Sequence, residues 1–480
     1  MTDRGSLVGT LERLAARLGS LSLHLAGPEA EARRTAARRL AGDYLAPRLA
    51  SRRGPLVVAV VGPSGSGKST LVNSLAGDEV SAAGLLRPTT RHPVVWGGDV
   101  LPGTVDRLLG RLGGRLVDSG PRPPEGIVLV DTPPPGAGPA AAETVAAADV
   151  CIVVVTGLRY ADVVAWDLIR AAADRRLPTT YVLNRLPEAP AAQRPIVEDF
   201  TERLAGEGLV GTRGTEPVIV VSEGPAGPSG LPGEWVSGIR KDLEALGGAE
   251  QRAQVLRRVT GASLVRLRSL LDSVRSDVID EAVERHRLVD PARLAYRAAA
   301  DQLAADITSG DLAELAGDPE AMAADLAAVV TRRAGKAARA AAASWEAGET
   351  GKALLSASPG LWSHGPGAVS QARDRCVEWY RGLEEEAAAV TGRWFRRRRA
   401  RTLARALAAG ALDPARRPGG RIARRLDRMP GALPEARLEL IAALREVLEL
   451  DSGRFLAVTG TGSPSGILER VSVDLGEGAG

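Results

Sequence analysis

The chain of 480 residues contains, at positions 62–70, the stretch Gly62-Pro63-Ser64-Gly65-Ser66-Gly67-Lys68-Ser69-Thr70. This stretch follows the pattern G-x-x-x-x-G-K-[ST] of a phosphate-binding loop (P-loop). An apolar run at 55–61 precedes it and predicts a strand, and a helix is expected after it. Glycines let the backbone wrap closely around a phosphate, while the N–H groups of the loop and of the helix N-terminus face the anion. We therefore predict that residues 62–70 bind the polyphosphate of a nucleotide.

Two side chains of this loop carry its charge chemistry. In a P-loop the lysine meets the β- and γ-phosphates, and the Ser/Thr hydroxyl holds Mg²⁺. Only 4 of the 62 basic residues are lysines, so a lysine at this position is unusually informative. We predict that Lys68 is a catalytic and nucleotide-binding residue, that Ser69 is a metal ligand, and that the ligand is a nucleoside triphosphate with Mg²⁺.

The arrangement of apolar runs predicts an α/β domain around the loop. Short runs rich in β-branched residues alternate with helix-like or Gly/Pro-rich stretches, at 55–61, 93–96, 126–130, 150–155, 179–183 and 217–221. Such runs are typical of a mainly parallel sheet covered on both faces. Leucines at helical spacing between 7 and 25 predict N-terminal helices, and helical periodicity returns after 241.

The predicted fold class is therefore α/β, a P-loop NTPase domain with a mainly parallel sheet, flanked by N-terminal helices and an all-α C-terminal domain. We place the N-terminal helices at 1–51, the P-loop domain at 52–240, the helical domain at 241–458 and a flexible tail at 459–480. In the helical domain, helical periodicity predicts separate segments, several of which open with proline, among them 256–287, 291–307, 319–347 and 434–450.

The composition excludes several classes of protein. Hydrophobic residues make up 44% and charged residues 25%, and the two cysteines are isolated, which rules out collagen and disulfide scaffolds. No run approaches 18 uncharged apolar residues, and charges interrupt the N-terminus where a signal peptide would be apolar. We expect a cytoplasmic protein. The net charge of +4 does not by itself predict nucleic-acid binding.

Two segments after the loop resemble motifs of Era-like and dynamin-like GTPases. Arg87-Pro88-Thr89-Thr90-Arg91 resembles the switch segment in which a threonine closes over Mg²⁺ and the γ-phosphate, and this implies a catalytic and metal-binding role for Thr89 or Thr90. Asp131-Thr132-Pro133-Pro134 resembles the motif D-x-x-G, which implies that Asp131 holds Mg²⁺ through water. Pro134 stands in place of the glycine, and proline has no N–H to offer the γ-phosphate.

Two further segments resemble the base-contacting motifs of these GTPases. Asn184-Arg185-Leu186-Pro187 lies where N-K-x-D reads guanine, which implies base contacts from Asn184 and Arg185. Pro187 cannot supply the two hydrogen bonds that the aspartate accepts, so discrimination against adenine is expected to be weak. Ser222-Glu223-Gly224 is loosely similar to the motif S-A-K, which implies that Ser222 and Glu223 lie near the base.

Together with the segment 157–166, these motifs resemble those of actinobacterial dynamin-like GTPase-domain proteins over about residues 52–225, without the membrane segments that many members carry. The resemblance implies GTP hydrolysis coupled to a helical bundle, with a second copy or a paralogous GTPase as partner. No glutamine closely follows Asp131, so we expect hydrolysis to be slow or partner-dependent. Two alternatives stay open, a catalytically weak nucleotide-binding scaffold or regulatory subunit and an ATP-binding enzyme of the kinase type.

The segment 393–428 is strongly basic and begins with Arg393, Trp394 and Phe395. Aromatic residues beside a run of arginines suit the surface of an anionic membrane, where each basic residue contributes about 1 kcal/mol. A solvated helix face or a contact with acidic helices would explain the same pattern. Peripheral contact with an anionic membrane is therefore one of these alternatives, and no specific nucleic acid is expected.

Overall fold

The computed structural model describes residues 4–82, 92–98, 101–117, 120–134, 139–209, 218–223, 231, 233–391, 396–416 and 418–460. The described residues form two compact units, and the division between them falls in the sequence at Asp277 and Val278. The domain boundaries proposed above at 51, 240 and 458 stay predictions.

The first unit is built on one sheet, to which the described residues contribute seven strands. They are β1 Leu56–Val61, β2 Val94–Trp96, β3 Arg115–Val117, β4 Ile127–Asp131, β5 Val150–Thr156, β6 Thr179–Leu186 and β7 Ile219–Ser222. Their order across the sheet is β3-β2-β4-β1-β5-β6-β7. The pair β2–β4 is antiparallel and the other described pairs are parallel. The predicted mainly parallel sheet is confirmed.

The strands that could be predicted from the sequence are those whose residues are buried. Every residue of β1 and β4, at the centre of the sheet, is buried, and both strands are apolar except for the terminal Asp131. All six predicted strands are present. The short edge strand β3 was not predicted, because Arg115 and Leu116 are exposed and its sequence lacks an apolar run. This edge position tolerates residues that a central strand excludes.

Along the chain of the first unit, helices precede the first strand, separate most of the strands and follow the last one. They are α1 Arg4–Ser20, α2 Pro28–Arg39, a π-helical turn Leu40–Leu45, α3 Ala46–Ala50, α4 Lys68–Ala76, α5 Gly103–Leu112, α6 Ala140–Ala147, α7 Val163–Asp174, α8 Pro190–Gly206 and α9 Gly233–Gly247. The leucine stripe of α1 packs against α2, the π-helical turn and α3, with Leu11, Leu14 and Leu18 buried. The main partners of this stripe are thus the segments that directly follow it in the sequence.

A buried polar cluster joins the N-terminal helices to the sheet. The carboxylate of Asp149, the residue before β5, is fully buried and forms an ion pair with Arg48. It also accepts hydrogen bonds from the Tyr44 hydroxyl at 2.9 Å and from the Val57 N–H at 2.8 Å. The guanidinium of Arg175 lies 4.1 Å from the centre of the Tyr44 ring, a cation–π contact. Residues 44–48 are therefore part of the core of the first unit.

The second unit is helical. The described helices are α10 Ala249–Ser309, which begins in the first unit, α11 Pro319–Trp345, α12 Glu349–Ala357, α13 Ala368–Val390, α14 Arg396–Leu412, α15 Gly420–Leu426 and α16 Ala432–Val458. Helix α13 packs against α11, α14 and α16, and the ring of Trp345 meets that of Phe455 edge to face with centroids 5.2 Å apart. No strand occurs in this unit within the described residues, so the all-α prediction is confirmed there.

Helix α10 is longer than the sequence predicts. The predicted interruption between 287 and 291 was wrong, because α10 continues without a break from Ala249 to Ser309. A proline inside a helix removes one backbone hydrogen bond, but the turns on either side retain theirs.

None of the described helices combines the length and the apolar composition that crossing a bilayer requires.

Candidate nucleotide-binding site

The P-loop connects the buried strand β1 to helix α4, and two of its glycines are sterically required. Gly62 has φ 151° and Gly67 has φ 98°, a region that residues with a side chain rarely occupy. A Cβ on Gly62 would collide with the carbonyl oxygen of Val154 in β5, and a Cβ on Gly67 would collide with the side-chain amide of Asn184. The loop is therefore held tightly between β5 and the end of β6.

Lys68 is the first residue of α4 and is buried. Its Nζ donates to the carbonyl oxygens of Gly62 at 3.0 Å and Pro63 at 3.1 Å, both within its own loop. Burial lowers the pKa of the Lys68 amine to about 8, an effect that the charge of Asp131 opposes. The amine thus lies against the loop backbone, in the region where the sequence predicts phosphate binding.

The predicted metal ligands Ser69 and Asp131 lie in contact. The Ser69 hydroxyl donates to Oδ2 of Asp131 at 2.6 Å, and Asp131 is fully buried at the end of β4. Burial raises the pKa of Asp131, whereas hydrogen bonds from Ser69 and Ser81 and the charge of Lys68 act in the opposite direction. The other carboxylate oxygen, Oδ1, is buried and has no hydrogen-bond partner among the described residues.

This donor set fits Mg²⁺. A hydroxyl and a carboxylate are oxygen ligands, and an orphaned buried carboxylate oxygen is stabilised by a cation. Among the described residues no group of three or more His, Cys, Asp or Glu side chains could hold a metal alone. Mg²⁺ commonly relies on one or two protein groups plus phosphates and water, so the scarcity of ligands agrees with a nucleotide-bound metal. The predicted ligands Thr89 and Thr90 lie outside the described residues.

Asn184, predicted to read the base, is bonded to the P-loop. It is 4% exposed, and its Nδ2 donates to the carbonyl oxygen of Ser66 at 2.8 Å. Its Oδ1 accepts from the N–H of Arg185 at 2.9 Å. Arg185 has φ 56°, a left-handed conformation that is uncommon for arginine and that tends to occur at functional sites. Asn184 therefore fixes the end of β6 against the loop.

An open cavity of about 210 Å³ lies beside the P-loop. Its lining combines Pro63, Ser64, Gly65 and Ser66 of the loop with Thr156, Leu158, Arg159, Arg185 and Glu223. The structure thus brings Arg185 and Glu223 to the same cavity as the loop. Ser222, the residue before Glu223, accepts a hydrogen bond from the Gln193 side chain at 3.0 Å. Thr70, the last residue of the predicted phosphate-binding stretch, lies in the first turn of α4.

Three residues near the site were not predicted as site residues. Ser81 donates to Oδ2 of Asp131 at 2.6 Å, and no motif contains it. Asn73 holds the backbone of Ser81, and its rarity was a usable signal because the chain has only two asparagines. Arg159 lines the cavity and forms an ion pair with Asp162 at 3.0 Å. Its place after β5 gave no means of telling a site residue from a surface residue.

The comparisons with known proteins identify the class of this domain. A family described as 50S ribosome-binding GTPase matches residues 57–185, which include the P-loop, Asp131 and Asn184. The first unit therefore contains a P-loop GTPase domain, as predicted, and the match implies a guanine nucleotide as its ligand. No curated protein matches this chain.

Several solved structures are similar to the chain at low identity. LeoA, a bacterial dynamin GTPase from ETEC, is 12% identical over 100% of this chain and 99% of its own, with a TM-score of 0.27. Two chains from work on an oligomerised bacterial dynamin pair, described as a mechanism for long-range sensing and tethering of membranes, also match. One is 11% identical over 94% of both chains with a TM-score of 0.32, and the other 12% identical over 100% of this chain and 94% of its own with a TM-score of 0.30.

Proposed function

We propose that this chain is a dynamin-like, Mg²⁺-dependent GTPase with slow or partner-dependent hydrolysis. The observation that supports it best is the contact between Ser69 of the P-loop and the buried Asp131 at the end of β4, inside the region that matches a GTPase family. The dynamin-like part of the proposal is based on the sequence motifs and on the helices that flank this domain in the sequence.

Each residue has a separate role in this proposal. Lys68 neutralises charge on the β- and γ-phosphates, and the N–H groups of the loop bind their oxygens. Ser69 and Asp131 would hold Mg²⁺, which supplies positive charge to the phosphate oxygens during transfer. Thr89 or Thr90 would be a further ligand of Mg²⁺.

The base is proposed to lie in the cavity beside the loop. Arg185 and Glu223 line that cavity, and Asn184 keeps the end of β6 against the loop. Ser222 is placed next to Glu223 at the end of β7.

A catalytically weak nucleotide-binding scaffold or regulatory subunit is the second candidate. Pro134 cannot donate an N–H to the γ-phosphate, and Pro187 cannot accept hydrogen bonds from guanine through a carboxylate. A missing charge-assisted hydrogen bond is worth about 1.5–3 kcal/mol, so both the rate of hydrolysis and the preference for guanine should be low. A paralogous GTPase or a second copy of this chain would then supply the missing groups.

Titration of GTP and ATP tests the proposal and separates the candidates. Wild type should bind GTP with Mg²⁺, and Lys68→Ala should weaken binding by about tenfold or more, because one charge-assisted contact is lost. Lys336→Ala, at an exposed lysine on α11, is the control and should bind like wild type.

Three results would redirect the assignment. Equal, weak binding of both nucleotides without turnover would favour the scaffold, and phosphoryl transfer from ATP would favour the kinase-type alternative. Single-turnover hydrolysis by the isolated protein at about 1 per second, a typical enzyme rate, would contradict slow hydrolysis.

A further inference from the structure

Ser81 is a buried hydroxyl that contacts the proposed metal carboxylate from outside every recognised motif. It is 0% exposed, and its Oγ donates to Oδ2 of Asp131 at 2.6 Å. The Ser69 hydroxyl donates to the same oxygen at the same distance, so Oδ2 has two donors while Oδ1 has none among the described residues. Hydrogen bonding is therefore concentrated on one oxygen of this buried carboxylate.

A side chain of helix α4 fixes the position of Ser81. Oδ1 of Asn73 accepts from the N–H groups of Val80 at 3.0 Å and Ser81 at 2.8 Å. Its Nδ2 donates to the Ser81 carbonyl oxygen at 2.8 Å. Asn73 is 3% exposed and lies on the helix that begins with Lys68. The Ser81 hydroxyl is thus held at a fixed place relative to the P-loop.

We propose that Ser81 is a positioning residue for the metal site. By donating to Oδ2 it would limit rotation of the Asp131 carboxylate and so hold that group in place for Mg²⁺ or a metal-bound water. Its hydrogen bond also stabilises the ionised carboxylate, which burial disfavours. Ser81 does not touch the nucleotide in this role, because it acts through Asp131. The inference is based on the proposed function, since it requires a Mg²⁺-nucleotide at the P-loop.

The variant Ser81→Ala tests this role with binding measurements. A fluorescent GTP analogue is titrated in EDTA and at increasing free Mg²⁺, and Mn²⁺ bound to the GTP complex is measured by electron paramagnetic resonance. In this variant, the free Mg²⁺ concentration at which GTP affinity has risen halfway to its maximum should be about tenfold higher than in wild type. The loss of one charge-assisted hydrogen bond has about this effect. The affinity in EDTA should stay within a small factor of wild type, since no nucleotide contact is lost.

Two further variants separate positioning from folding. Ser74→Ala removes a buried hydroxyl on α4 that donates to the Thr70 carbonyl oxygen and accepts from the Leu231 N–H, both at 2.6 Å, and it should keep the wild-type Mg²⁺ requirement. Ser81→Cys keeps a weak donor of similar size and should give an intermediate requirement, which also keeps the test open if the alanine variant fails to fold.

The outcomes distinguish this inference from the proposed function. If wild type binds GTP in a Mg²⁺-dependent way and the folded Ser81 variants have the same Mg²⁺ requirement, the role of Ser81 is overturned alone. Equal weakening in EDTA and in Mg²⁺, together with a lower melting temperature, would also overturn it in favour of a purely structural role. If wild type binds no GTP with or without Mg²⁺, both the proposed function and the inference are wrong.

Discussion

Lys68 places a positive charge in a site from which most water is excluded. Its amine is buried against two carbonyl oxygens of its own loop, and burial lowers its pKa to about 8. A triphosphate can interact strongly only with the protonated amine. Nucleotide binding should therefore titrate within an experimentally convenient range of pH.

We predict that the affinity for GTP changes little between pH 7 and 8 and falls above about pH 8, by up to about tenfold per pH unit, as free Lys68 loses its proton. Lys68→Arg is the control, because a guanidinium stays charged throughout, and its affinity should be nearly flat over the same range. Fluorescence titrations at fixed Mg²⁺ measure both. A flat profile for wild type, or the same fall in the arginine variant, would contradict the assignment.

The same shift affects stability in the opposite sense. The native amine has a pKa of about 8 against an ordinary value of 10.5, so between these values the unfolded chain binds more protons than the native protein. The contribution of Lys68 to the free energy of unfolding should therefore rise with pH over that interval. Denaturant unfolding of the nucleotide-free protein, compared with Lys68→Met, measures this difference.

At the scale of elements, the N-terminal helices depend on one buried ion pair. Arg48 and Asp149 are almost completely buried, and Asp149 also bonds to Tyr44 and Val57. We predict that Arg48→Met lowers the free energy of unfolding by about 3–5 kcal/mol, because it leaves an uncompensated buried charge. Denaturant unfolding checks this value.

The control for Arg48→Met is the same substitution in an exposed pair. Arg203 lies 2.8 Å from Asp199 on α8, and both side chains are substantially exposed, so Arg203→Met should change stability little. Equal effects at the two sites would show that residues 44–48 do not contribute to the core as described.

The elements also show what a sequence reveals. The P-loop and the central strands were predictable because backbone geometry demands glycine in the loop and full burial demands apolar residues in β1 and β4. The contact between Ser81 and Asp131 joins residues 50 positions apart, and serine is common, so no local pattern marks it. Asn184 was found by its motif, but its bond to the Ser66 carbonyl oxygen depends on how β6 and the loop pack.

At the scale of the whole molecule, the distribution of charge bears on membrane contact. The described part of the segment 393–428 exposes arginines on two helices, including Arg398 on α14 and Arg424 on α15. A surface of this kind attracts anionic lipid by about 1 kcal/mol per basic residue, and salt weakens the attraction.

We predict that the protein sediments with phosphatidylserine vesicles at low salt and that the double variant Arg398→Gln/Arg424→Gln binds them at least several-fold more weakly. The double variant Arg194→Gln/Arg203→Gln, at exposed positions on α8, lowers the net charge equally and should bind almost like wild type. Absence of sedimentation at low salt, or equal losses in the two double variants, would rule out a specific contribution of the basic segment.

The two hydrogen bonds from Lys68 to its own loop have a practical consequence for handling the protein. Because the amine has acceptors within its own loop, these bonds join the start of α4 to the loop backbone. We therefore expect the protein to stay folded when its nucleotide is removed. Preparations stripped of nucleotide should therefore survive purification and reload without a chaperone or an exchange factor.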